Sequence, residues 1–334
     1  MSRNSESAST ATIVAAIITG IFACIAAIVS LGQPFINKYA DLYFATSTPS
    51  IPLLSKQALP ANHKIAFVRN EGNNNDIYIM DEDGTNRVSL TNGAFVDDYP
   101  IWSPDGKYIA FHSGRSGNFE IYVMTSTGEN TTNITNSEFD DINPSWSPDS
   151  SQIVFSSFRE GNLNLYISNL ITGDVKQITD TSDRSEQYPD WSPDGQRLVF
   201  SETFGPTQAS LVTMNINGRN RETIYDFGPN QLIITPAWSP DGNFIAFTKH
   251  EIAETSGVYK SADLYTVRFN GSSPVLLTQG NDPDWSPDGK RLIFWYWSAA
   301  NGSDIFSINI DGSGLVNLTN TPDQSEKGPT YTSQ

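Results

Sequence analysis

The chain has 334 residues, enough for two ordinary domains or for one large all-β unit. Its 20 Lys and Arg face 37 Asp and Glu, a formal net charge of −17, which excludes nucleic acid as a partner because phosphate binding needs clustered basic surface. One cysteine excludes a disulfide scaffold and a cysteine-rich zinc site, and three scattered histidines leave little for imidazole chemistry.

Residues 1–10 form a short polar tail. Residues 11–31 (ATIVAAIITGIFACIAAIVSL) carry no charge. At 1.5 Å per residue such a helix is about 31 Å long, which matches a hydrocarbon core of about 30 Å and exceeds a signal-peptide core. An uncleaved single-pass membrane helix is predicted, with Cys24 inside it. The alternatives are a cleaved signal and, less well matched, a lipoprotein site at Cys24. A ten-residue tail fits an N-terminus inside and the bulk of the chain outside the cytoplasm, in the periplasm or at the cell surface. Residues 32–63 hold Pro34, Pro49, Pro52 and Pro60 among Ser and Thr and read as a linker. The first fifty residues sum to zero charge (Arg3 and Lys38 against Glu6 and Asp41), so the whole excess of acid falls on the rest.

From residue 64 the sequence repeats. Trp-Ser-Pro-Asp begins at Trp102, Trp146, Trp191, Trp238 and Trp285, at intervals of 44, 45, 47 and 47 residues. Each copy leads through a Gly, or Ser150 once, into a short apolar strand such as Ile109-Ala110-Phe111. A second β-rich run follows, then a turn ending in Gly, then a short strand ending in Leu-Thr or Ile-Thr. Asp-Gly and Asn-Gly supply the positive φ of tight hairpins, and Pro presets the turn after each Trp-Ser. Four strands per 44–47 residues, repeated, predict a β-propeller. A sixth copy at Ile65-Ala66-Phe67 lacks its Trp strand. Pro329-Thr330-Tyr331 near the C-terminus stands in the register of that strand, so the C-terminal strand is expected to complete the first blade and remove its open edge. The expectation is an all-β, six-bladed propeller over residues 64–334, monomeric, preceded by one transmembrane helix.

The pattern of Pro-x-Trp-Ser-Pro-Asp-Gly, an Ile-Ala-Phe strand, Arg-x-Gly-Asn and Ile-Tyr-Val-Met resembles the TolB-type β-propeller repeat, a relative of the WD repeat, over Lys64 to Gln334. The resemblance implies a six-bladed propeller and an interaction module of the periplasm or cell surface. TolB-type proteins work with the Tol–Pal system of the cell envelope. Similar propellers also precede prolyl-oligopeptidase-type hydrolases, but this chain has no Gly-x-Ser-x-Gly elbow.

Trp102, Trp146, Trp191, Trp238 and Trp285 read as interblade core, and the Asp of each motif as a turn acceptor. The position three residues before the Pro of each inner strand reads Asp97, Asp141, Glu186, Ile233, Gly280 and Glu326. These acids fall on the upper face, with Asp98 and Asp282 beside them and Arg69, Arg115 and Arg159 on neighbouring loops. Two readings stay open: acids and arginines pairing within the rim, or an acidic funnel that steers a cation or a basic partner. On the second, Asp97, Asp98, Asp141, Glu186, Asp282, Glu326, Arg115 and Arg159 form the binding surface. No cofactor or catalytic set is called for. Ca²⁺ would suit carboxylates, but no Asp-x-Asp-x-Asp-Gly loop occurs, and Asp81-Glu82-Asp83-Gly84 reads as a hairpin. Asn-x-Ser/Thr sequons at Asn130, Asn133, Asn270, Asn301 and Asn317 matter only in a host that glycosylates exported proteins. The function expected is a membrane-anchored binding module for an unnamed protein or ligand. The alternative from another class is a metal-assisted lyase or hydrolase working in the central channel, against which the scarcity of histidine counts.

Overall fold

The computed structural model describes residues 63–333 apart from 71, 73, 94, 254–258, 299–301 and 323. The apolar run at 11–31 and the linker lie outside the described residues. Among the described residues no helix is long and apolar enough to cross a membrane.

Six four-stranded antiparallel sheets stand in a ring. Blade I is built from Lys64–Asn70, Asn75–Asp81 and Val88–Ser89, and its inner strand is the C-terminal Ser325–Tyr331. The inner strands of blades II to VI are Asp97–Trp102, Asp141–Trp146, Ser185–Trp191, Gln231–Trp238 and Asn281–Trp285. Closure follows the phase of the repeat: Ile65 pairs with Tyr331 and Asn70 with Ser325, and the Thr332 amide donates to the Lys64 carbonyl at 2.8 Å.

Each strand after a Trp-Ser-Pro-Asp turn brings a Phe to the middle of its sheet. Phe67, Phe111, Phe155, Phe200, Phe247 and Phe294 are fully buried. Side chains on a sheet alternate between its two faces, so each Phe and Trp meets the aliphatic residues of the preceding blade. Trp102 and Phe111 of blade II thus pack on Ala66 and Ile77 of blade I, and Trp191 and Phe200 of blade IV on Val154 and Leu165 of blade III. The seam between blades VI and I is filled by Tyr331, Phe67 and Met80 against Ile293 and Ile305. Fully burying such a side chain is worth roughly 1.5–3 kcal/mol. Packing density between blades is therefore the main support of the ring.

The lower turns repeat one hydrogen-bond scheme. Ser103, Ser147, Ser192, Ser239 and Ser286 each donate through Oγ to the Asp two residues on, at 2.6–2.7 Å. That Asp also accepts the backbone amide of the second residue after it, at 3.0–3.1 Å. The fifth residue of the turn sits in the left-handed region, as Gly106 at φ 69° and Gly195 at φ 68°. Blade III uses Ser150 there at φ 59°, and its hydroxyl accepts the Asp105 amide of blade II at 3.2 Å. A bond to the neighbouring blade offsets the cost of a side chain in that region.

Candidate functional site

Every inner strand contains Pro, and every Pro is preceded by a residue at positive φ: Tyr99 (52°), Asn143 (54°), Tyr188 (52°), Thr235 (49°), Asp282 (49°) and Gly328 (55°). The ladder to the second strand slips at the same place in all six blades, for instance between Asp98 and Ile101 and between Asn281 and Asp284. This is a β-bulge, which leaves a residue out of the ladder and re-aims side chains. Here it directs both neighbours of the Pro toward the axis. A left-handed conformation is costly for the β-branched Thr235, and strain held in this way concentrates at functional places. The result is a channel cavity of about 120 Å³ lined by three residues from each blade.

The channel is polar and acidic. Asp190 accepts from Ser145 Oγ of blade III at 2.8 Å and from the Trp238 amide of blade V at 2.8 Å. Asp284 accepts from the Tyr331 amide at 2.7 Å and from the Trp285 amide at 2.9 Å. Burial pushes both carboxyls up to about 6, and the charge of Asp190 adds to the rise at Asp284. Burial also raises Asp282, although the Trp295 indole donates to it at 2.7 Å. Asp98 differs. Burial pushes it up, but the Lys327 ammonium at 2.6 Å and other donors outweigh that and leave it below its usual value. Tyr99 packs on Tyr188 at 5.8 Å and stacks on His112 at 5.3 Å. His112 and His250 are held down to about 4, burial being the main cause.

The upper-face acids singled out in the sequence sit apart from this cavity. Asp97, Asp141, Glu186 and Glu326 are buried, each against an arginine. Asp97 meets Arg115 at 2.8 Å, Asp141 meets Arg159 at 2.8 Å, Glu326 meets Arg69 at 3.0 Å and Glu186 meets Arg221 at 2.6 Å. In blades I to III the guanidinium lies over an aromatic ring, 4.5 Å from Tyr78, 4.7 Å from Tyr122 and 5.0 Å from Tyr166. Blade IV draws its cation from the residue just before its outer strand Glu222–Tyr225 instead, and Arg221 also touches the buried Glu202. Of the predicted residues Asp282 lines the cavity, and Asp98 pairs with Lys327. The five Trp are 5–7% exposed and lie in the seams. Among the described residues no group of three His, Cys, Asp or Glu is placed to hold a metal.

Asn143, Asp190 and Asp284 escaped the sequence reading. The signal was available: the residues flanking each inner-strand Pro read Tyr-Pro-Ile, Asn-Pro-Ser, Tyr-Pro-Asp, Thr-Pro-Ala, Asp-Pro-Asp and Gly-Pro-Thr. Variable polar positions inside an otherwise fixed repeat mark the lining of the ring.

A ring of six four-stranded blades closed by its own C-terminal strand, around an axial cavity, defines the chain as a six-bladed β-propeller. The family model of the TolB beta propeller domain matches residues 52–231. The chain belongs to that family. The Tol-Pal system protein TolB of Anaeromyxobacter dehalogenans (strain 2CP-C) is 34% identical over 115 residues, 34% of this chain and 24% of that protein. The uncharacterized peptidase YuxL of Bacillus subtilis is 27% identical over 93 residues, 27% of this chain and 14% of that protein. The chain thus spans about a quarter, 24%, of the length of its TolB relative. Among solved structures, the crystal structure of TolB from Acinetobacter baumannii superposes with a TM-score of 0.69 at 22% identity, over 80% of this chain and 66% of that one. A chain of the nidogen/laminin complex gives 0.65 at 10% identity, over 82% of this chain and 100% of that one. At these identities the likeness is one of fold.

Proposed function

We propose that this chain is a membrane-held propeller displayed outside the cytoplasm, where it binds a protein partner in an envelope assembly of the Tol–Pal kind. The observation that carries the reading is the family match over residues 52–231, joined to relatives named as Tol-Pal system proteins. The uncharged run at 11–31 supplies the anchor. The upper face supplies the contact surface. Phe95 and Phe139, each 46% exposed, sit on connections that enter blades II and III. Phe204, also exposed, sits between the second and third strands of blade IV on the same face. Aromatic side chains of this kind anchor protein interfaces. On this reading Asp97, Asp141, Glu186 and Glu326, with Arg69, Arg115, Arg159 and Arg221, hold the loops that present the surface and do not themselves meet the partner.

Site-specific photo-crosslinking tests it. A benzophenone amino acid replaces Phe95 or Phe139 in the full chain, or Ile171 on the lower face, which is 82% exposed. One envelope protein should be trapped from the two upper positions and not from the lower one. Equal yields from both faces, or protection of the propeller from protease added to spheroplasts stripped of any outer membrane, would sink the reading.

A further inference from the structure

Three acceptors line one stretch of the channel, Asn143 just before its Pro and Asp190 and Asp284 just after theirs. Asp190 and Asp284 come from blades IV and VI and line the same cavity as Asn143 from blade III. Asp190 accepts from Ser145, Trp238 and the Trp191 amide, and Asp284 from Trp285, Tyr331 and the Thr330 hydroxyl. A carboxylate offers about four lone-pair sites, so each retains room for one further donor. Asn143 is 5% exposed and its Oδ1 has no hydrogen-bond partner, a costly state for a buried acceptor. The ammonium of Lys327 is engaged elsewhere, at 2.6 Å from Asp98. Burial and the like charge of Asp190 raise Asp284, so the two carboxylates feel one another.

We propose that this cavity is a receptor for a primary ammonium group, held through its three N–H donors by Asp190, Asp284 and the Oδ1 of Asn143. The protein side is made of acceptors, so the complementary guest is a donor, and two carboxylates require that it be cationic. An ammonium offers three donors and no acceptor, which matches three acceptors lining one cavity. A metal ion is a poorer match, because no three acidic or imidazole side chains come together among the described residues. The cavity of about 120 Å³ is equivalent to about four waters at ~30 Å³ each, room for an ammonium and a short alkyl stem. Pro100, Ile101, Pro236 and Ala237 give that stem an apolar wall. The same chemistry is offered by the tip of a lysine side chain and by a free alkylamine. The inference stands independently of the protein-partner reading, because a small amine can be tested alone.

The probe is n-butylammonium chloride, titrated at pH 7.5 into the full chain carrying ¹⁵N-labelled Trp and Tyr. The amides of Trp238 and Tyr331 donate directly to the two carboxylates and serve as reporters. Both should shift along one saturable curve, while tetramethylammonium, which has no N–H, leaves them unmoved. Asn143→Asp adds a third carboxylate and tolerates positive φ, and should tighten binding about tenfold, the equivalent of one added charge-assisted bond. Asn143→Gly keeps the backbone and removes the acceptor, and should weaken binding severalfold. Displacement of n-butylammonium by the cross-linked partner assigns the natural ammonium to a lysine of that partner, and undisturbed binding assigns it to a free amine. An equal response to tetramethylammonium, no response to n-butylammonium, or a response confined to CaCl₂ each overturns the proposal. These readouts use the unmutated chain, so the test holds even where an Asn143 variant fails to fold.

Discussion

Replacing Glu326 by Ala separates a structural from a steering role for the upper-face acids. Glu326 is fully buried, accepts from Arg69 Nη2 at 3.0 Å and Nε at 3.3 Å, and from Thr321 Oγ1 at 2.8 Å. Arg69 is itself 8% exposed, so deletion of the carboxylate strands a guanidinium inside the ring. Breaking one side of a buried pair costs roughly 3–5 kcal/mol, of which the stacking of Arg69 on Tyr78 at 4.5 Å returns a part. At about 2–4 °C per kcal/mol for a chain of this size, the melting temperature should fall by about 10 °C. Equilibrium unfolding in urea, read at low and at high salt, gives the measurement. A buried pair is little screened, so the loss should survive added salt. The double variant Arg69→Met/Glu326→Leu should recover most of it, since a well-packed apolar pair often replaces a buried ion pair without loss. A loss below about 1 kcal/mol that vanishes in salt would mean the pair is a surface one, and the steering alternative would return.

Deleting residues 328–334 should uncover the edge of Lys64–Asn70, lower thermal stability and promote self-association visible by light scattering, whereas an unchanged melting curve and a monomer would disprove closure by this strand. Asp190 carries a folded-state value of about 6 against an unfolded value near 4, so its favourable contribution is complete below about pH 4 and lost as pH rises through 6. Urea unfolding of the wild type minus that of Asp190→Asn should therefore decline by about 2 kcal/mol between pH 4 and 7, allowing for partial solvent access at the channel wall, and a flat difference would show that Asp190 ionises normally. Only the difference is informative, because His112 and His250, held near 4, lose stabilisation as pH falls across the same window. Glu82 is buried, with Oε2 unpartnered and its carboxyl raised by burial, where blades III and IV place Leu170 and Ile216 in the seam. Glu82→Leu should raise stability by about 1–2 kcal/mol in the same assay, and a loss would reveal a partner for that carboxylate.

The ring was legible because its determinants repeat. Five Trp-Ser-Pro-Asp copies fixed the period, and the missing sixth Trp told where the chain must close. The channel was harder to read for a physical reason. Its lining depends on the bulge before each Pro, and a bulge turns a residue that simple alternation would send to a seam toward the axis. Asp190 and Asp284 read as strand residues beside a core Trp until the slip in register is known. The upper acids left two readings open for a different reason. Their shared register suggested a common surface, yet burial depends on whether an arginine arrives from the second strand, as Arg69 does, or from just before the outer one, as Arg221 does. The first kind of pair could be named from the sequence, whereas the pair of Glu186 with Arg221 joins residues 35 apart and left no trace in the repeat.

The two acidic sets therefore do different work although both stand on inner strands. At the outer end of four of the six inner strands an acid has its arginine, and the pair ties a loop to its own blade, as Asp97 and Arg115 do. Four residues further along, past the Pro, Asp190 and Asp284 have backbone amides and hydroxyls for partners, among them Ser145, the Trp238 amide and the Tyr331 amide of neighbouring blades. Those bonds stitch blades III, IV and V together and join VI to I, so any guest that draws on the same carboxylates loads the seams of the ring. Guest binding and ring stability are linked: a cation bound to the folded ring alone must raise its melting temperature by mass action. The upper pairs carry no such linkage, because their charge is already neutralised within the blade.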